Sequence, residues 1–110
     1  MRKILAKVDD GRLGRAVAGL VHRELVVEDV TRDGGEIRAA VRSTGKRGVK
    51  VYSVEFHVAG RGHAVFCSCD DRRKRGVYCK HIAALALHEL GEAAHARSGH
   101  RQHRGLLLDM

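Results

Sequence analysis

The chain has 110 residues, 44% of them hydrophobic, and a formal net charge of +8. That length fits one domain with a small core of its own. No apolar run approaches the roughly 20 residues of a membrane helix, and the basic balance favours polyanionic partners, nucleic acid before anionic membrane or acidic protein. The start, Met1-Arg2-Lys3-Ile4-Leu5-Ala6-Lys7, breaks its apolar run too soon for a secretory leader. A cytoplasmic, reducing setting is therefore expected, with association to the nucleoid as one form of it.

Residues 1 to 8 are short and mixed. Asp9-Asp10 offers an N-cap to a helix carrying Leu13, Ala16, Val17, Leu20 and Val21 at helical spacing. Gly14 and Gly19 weaken that helix by about 1 kcal/mol each against Ala, unless their small size serves close packing on a sheet. Arg12, Arg15 and Arg23 lie off the stripe and read as a solvated face. Leu25 to Thr31 is a strand, Asp33-Gly34-Gly35 a turn, and Glu36 to Ser43 a half-buried strand with Ile37, Ala39 and Val41 on one face. Thr44 to Gly48 is a loop tipped by Lys46 and Arg47. Val49 to Val58 is the longest strand, with Tyr52, Val54, Phe56 and Val58 on one face; core is a better reading of Tyr52 and Phe56 than a base-stacking platform. A turn at Ala59 to Gly62 leads to a last strand, His63 to Cys69. The expected product is an antiparallel meander of three or four strands.

That strand delivers Cys67 and Cys69, and Cys79 and His81 follow after a linker from Asp70 to Tyr78. Closed structural zinc takes four thiolate or imidazole ligands in a tetrahedron, and three Cys with one His supply that set. Residues i and i+2 of a strand point to the same face, so Cys67 and Cys69 can reach one metal. An ideal helix would set Cys79 and His81 about 200° apart, so Cys79 belongs just before the C-terminal helix and His81 in its first turn. The odd cysteine count and close spacing argue against a disulfide framework. A catalytic zinc keeps an open position, whereas here the fourth ligand is at hand.

The linker, with Asp70-Asp71 at one end and Gly76 near the other, reads as a loop. It carries Arg72, Arg73, Lys74 and Arg75, the densest charge run in the chain. Cations on a metal-pinned loop lose less freedom on meeting phosphate than cations on a floppy tail, and each contact releases counterions. These four, with Lys80 and with Lys46 and Arg47, are the candidate nucleic-acid contacts; Asp70 and Asp71 partly neutralise the run. Beyond His81, Ile82, Leu85, Ala86, Leu90 and Ala93 mark the apolar stripe of the helix. His88 stands two turns, about 10.5 Å, from His81, too far to share its metal. The pattern ends at Ala96, and residues 97–110 read as a basic, His-bearing tail closed by the apolar Leu106-Leu107-Leu108.

Val65-Phe66-Cys67-Ser68-Cys69 followed by Cys79-Lys80-His81-Ile82-Ala83-Ala84-Leu85 resembles the SWIM zinc-finger family over about residues 50 to 90. The departure is Asp70 where the family often carries a proline, which bears on the linker and not on the ligands. The resemblance implies a β-β-α zinc unit that binds DNA or protein. SWIM proteins that stand alone are similar to members of recombination-mediator complexes that partner recombinase-like proteins.

The sequence thus predicts a single α+β domain over residues 1–96: an N-terminal helix, an antiparallel sheet, and a zinc-bound unit running into a C-terminal helix. Its expected ligands for Zn²⁺ are Cys67, Cys69, Cys79 and His81. The expected function is binding of nucleic acid, with DNA the expected polymer and little sequence specificity. The alternative is an adaptor for a recombinase-like protein in which zinc is purely structural. No phosphate-binding glycine loop or nucleophile arrangement is visible, so neither an enzyme nor a small-molecule site is expected.

Overall fold

The computed structural model describes the backbone of residues 1–109 and the side chains of residues 1–94. In chain order it has α1 (Arg2–Leu5), α2 (Asp10–Val21), β1 (Leu25–Asp33), β2 (Glu36–Gly45), β3 (Gly48–Ala59), β4 (Gly62–Cys67), α3 (Asp70–Arg75) and α4 (Lys80–Asp109). The strands form one antiparallel sheet in the order β1-β2-β3-β4. The α+β reading and the meander hold.

Strand alternation decides which face is covered. Ala39, Val41, Val54, Phe56 and Cys67 are buried on one face, where Ile82 and Leu85 of α4 pack against them. The opposite face carries Arg38, Arg42, Val49, Val51 and Phe66, all exposed. Ile82 to Ala86 are buried without exception, because α4 has neighbours on two sides. Ala83 turns away from the sheet and joins Ala16 of α2 and Val8 in a second small core.

A bulge in β1 changes which of its residues face α4. The register with β2 shifts between Glu28 and Thr31, and Asp29 takes a positive φ of 52°. One extra residue reverses the alternation, so Arg32 lies across from Ile37 on the covered face. Its guanidinium donates two hydrogen bonds of 2.7 Å to Glu89 of α4.

Three local expectations change. α1 was not expected, yet its Ile4 is fully buried; the apolar trio Ile4, Leu5 and Val8 was its signal. The stripe on α2 is rotated. Val17 and Val21 are 45% and 70% exposed while Gly19 is buried, because the helix sits so close to β1 that a Cβ at Gly19 would lie 2.7 Å from Leu25. Close packing thus explains Gly19, whereas Gly14 faces open space. Finally, the linker is not a loop: Asp70–Arg75 is the short helix α3, ended by Gly76 with φ 66°. Acidic residues in its first turn and basic ones in its last complement the helix dipole.

The predicted tail, with His95, His100, His103 and the three leucines, lies outside the described side chains; α4 continues through it to Asp109. Among the described residues no helix is long and apolar enough to cross a membrane.

Candidate metal centre

The end of β4 and the start of α4 meet at one corner of the sheet. Cys67 is the last residue of β4 and Cys69 caps α3, its thiol accepting from the Arg72 N–H at 3.4 Å. Cys79 immediately precedes α4, and His81 lies in that helix's first turn, as the angular argument required. All four are buried, and their ligand atoms lie within 4.8 Å of one another.

The arrangement fits zinc. Bond lengths of about 2.3 Å to sulfur and about 2.0 Å to nitrogen give a tetrahedron with edges of about 3.5–3.8 Å. Cys67 Sγ and His81 Nδ1 stand 3.8 Å apart. The other ring nitrogen, His81 Nε2, is buried without a hydrogen-bond partner among the described residues. The imidazole is held by packing, its centroid 4.3 Å from that of Tyr52 at a tilt of 31°.

The thiols themselves call for a cation. The hydrogen bond from Cys67 brings the Cys79 thiol down to about 4, helped by His81 and the Ile82 N–H against the cost of burial. That same bond to Cys79, together with burial, pushes the Cys67 thiol up. Burial and then the charge on Cys79 raise Cys69. The cluster by itself carries one thiolate readily and resists the second and third. A divalent ion removes that resistance by replacing the remaining protons. Four protein ligands would leave no open coordination position, so a zinc ion held here would serve a structural role.

Neighbouring side chains fix the corner. Arg12 of α2 donates from Nε and Nη2 to the two carboxylate oxygens of Asp71 at 2.6 and 2.9 Å, and from Nη1 to Asp9 at 2.6 Å. Ser68 donates its N–H to the Ser53 carbonyl and accepts the Ser53 N–H on its hydroxyl, which anchors the Cys67-Ser68-Cys69 turn to β3. Tyr78 hydrogen-bonds His63 at 3.0 Å and lies under the cations of Arg72 and Lys7. The Arg12–Asp71, Ser53–Ser68 and His63–Tyr78 bonds had no sequence signal, since their partners are 15 to 59 residues apart.

The predicted phosphate contacts divide on inspection. Arg72 is engaged within the fold, its guanidinium donating to the carbonyls of Gly76, Val77 and Val65. Arg73, Lys74 and Arg75 are exposed at the end of α3. Lys74 lies 3.8 Å from Asp70, and Arg75 lies 3.3 Å from Asp71. Lys80 is half-buried beside the ligands, and Lys46 and Arg47 form the exposed tip of the β2–β3 hairpin.

A Cys₃His centre joining the end of a hairpin to the start of a helix is a zinc-binding β-β-α unit. Residues 56–90 match the family model of the SWIM zinc finger. Residues 56–90 therefore carry a SWIM zinc finger, and its Cys₃His group is one that can hold Zn²⁺. No curated protein and no solved structure matches the chain.

Proposed function

We propose that this chain is a zinc-stabilised nucleic-acid-binding module, with DNA the expected polymer and little sequence specificity. The observation that carries the reading is a run of cations over three adjoining recesses at the metal end of the sheet. Arg15, Arg75 and Lys80 line the recess beside Cys79 and His81. Arg15 and Lys80 also line a second recess, with Ser43. Ser43 and Tyr52 lead into a third, walled by Lys46, Arg47 and Lys50. Cations brought from α2, α4, α3 and the β2–β3 hairpin onto one surface suit a phosphate backbone. Three carboxylates also line these recesses, Asp70, Asp71 and Glu24; Asp71 is occupied by Arg12 and Arg75, and Asp70 faces Lys74, which reduces the repulsion of phosphate by those two. Contacts from cations to phosphates carry no sequence information, which supports a reading of low specificity.

The test is an anisotropy titration of zinc-loaded protein against single- and double-stranded DNA at several salt concentrations. Two variants accompany it: Lys46→Ala/Arg47→Ala/Lys50→Ala, and Arg73→Ala/Lys74→Ala/Arg75→Ala with Arg72 retained for the fold. Binding that weakens steeply with salt, with a slope reduced by roughly one for each phosphate contact removed, supports the module. Absence of binding to either DNA near physiological salt overturns it. The second reading, an adaptor for a protein such as a recombinase-like partner, is favoured by a different feature, the uncovered edge of β3.

A further inference from the structure

β3 is much longer than the strand beside it. It runs over 12 residues against 6 in β4. Pairing with β4 covers Val54 to Ala59, and Ser68 continues it to Ser53. From Gly48 to Tyr52 the strand is paired with β2 alone.

The direction of the backbone groups on that overhang follows from alternation. Ser53 exchanges its N–H and C=O with Ser68, on the β4 side. Val58 donates its N–H to Gly35, on the β2 side. Odd-numbered residues of β3 therefore turn their polar groups toward β4 and even-numbered ones toward β2. Val49 and Val51 aim their N–H and C=O where β4 has already ended. Among the described residues neither has a bond on that side, and their side chains are 58% and 61% exposed.

This edge lacks the protection given to the other one. β1, the opposite edge, is broken by the bulge at Asp29 and carries Glu28, Asp29 and Asp33, devices that discourage strand addition. The β3 overhang keeps a regular register with β2 throughout, and its only guard is charge: Lys50 on the strand, with Lys46 and Arg47 at the hairpin tip. A second copy would bring the same cations against them. An acidic strand would not be repelled.

We propose that the open edge of β3 from Gly48 to Tyr52 accepts an extended acidic segment of a partner protein as an added strand. Main-chain bonds to Val49 and Val51 hold it, and alternation sets its side chains. On one face its residues meet the exposed Val49 and Val51, and on the other Lys50 and Tyr52, so the fitting segment alternates apolar and acidic residues. The added strand continues the line of β4 past the metal-bound corner. This inference differs from the nucleic-acid reading in resting on backbone groups that no phosphate contact requires, while it draws on the same Lys46, Arg47 and Lys50, so the two ligands compete for this edge.

The experiment uses the zinc-loaded full chain and a capped ten-residue peptide alternating Val with Glu. Three comparison ligands are the same peptide N-methylated at alternate residues, its Val/Lys counterpart, and oligothymidine. The expected result is saturable binding of the Val/Glu peptide with new hydrogen-exchange protection at the Val49 and Val51 amides. N-methylation on the bonding side and replacement of Glu by Lys should each weaken it tenfold or more. Val51→Pro, which removes an N–H that β2 does not use, should weaken it similarly. Should that variant misfold, the N-methylated peptide on the unmodified protein still decides. Equal affinity for parent and N-methylated peptides, or no peptide binding at all, overturns the proposal. Protection of Val49 and Val51 by oligothymidine alone overturns it too, and gives the edge to nucleic acid.

Discussion

Arg12 of α2 closes on Asp71 of α3 in a two-pronged ion pair, Nε to Oδ2 at 2.6 Å and Nη2 to Oδ1 at 2.9 Å. It joins the first long helix to the linker between the two halves of the zinc site, across 59 positions of sequence. The Arg12 guanidinium holds the Asp71 carboxyl below its ordinary value. Arg12→Ala and Asp71→Asn should each let α3 swing from α2 and speed zinc loss to a chelator several-fold, and the double variant should add little. Additive effects in that double-mutant cycle would mean the pair does not act as a unit.

Zinc itself should be indispensable to this corner. Without it three thiols and an imidazole remain packed together in the core, and the ordering of Cys67 to His81 loses its cross-link. Cys79→Ala should abolish stoichiometric zinc and lower thermal stability by far more than the ~1 kcal/mol of an average substitution. Chelator should do the same to the unmodified chain. Metal analysis with thermal melts reads both, and a variant retaining its zinc and its melting point would remove Cys79 from the site.

Gly19 and Gly14 offer a matched pair on one helix. A Cβ at Gly19 would sit 2.7 Å from Cγ and Cδ1 of Leu25, so Gly19→Ala should destabilise by about 1–3 kcal/mol through overpacking. Gly14 has nothing within 4 Å, so Gly14→Ala should stabilise by up to about 1 kcal/mol through helix propensity. Denaturant melts of the two zinc-loaded variants should move in opposite directions.

His63 should give the fold a dependence on mild acid. Burial first, then Lys7, the N-terminal amine and Lys3, lower its pKa from the ordinary 6.5, and Tyr78 holds the ring by a hydrogen bond of 3.0 Å. The unfolded imidazole therefore takes up its proton at higher pH than the folded one. Stability is unaffected well above pH 6.5 and falls as the pH drops from there toward the lowered folded value. His63→Gln should flatten the melting temperature against pH across that interval with zinc still bound. An unchanged slope would assign the acid sensitivity elsewhere.

What the chain determines by itself is what local chemistry can carry. Donor types and spacing mark Cys67, Cys69, Cys79 and His81 as the candidate ligands, and the first turn of a helix is a short-range rule; the strand expected to carry both Cys67 and Cys69 ends at Cys67, and Cys69 caps α3 instead. Alternation, another short-range rule, marks Ala39, Val41, Val54 and Phe56 as core, and all four are buried. The helical nature of the linker was also local, written in Asp70-Asp71 before Arg72 to Arg75 and Gly76, but the turn-forming residues pointed the other way. The tertiary structure alone decided the rest. It set Gly19 rather than Val17 and Val21 against β1, because closeness of approach depends on the partner surface. It turned Arg72 inward onto the Val65 carbonyl and left Arg73 outside, a division that charge counting along a run cannot make. It also ended β4 early and exposed the edge at Val49 and Val51, since how far one strand outlasts its neighbour is a property of their register and of neither strand alone.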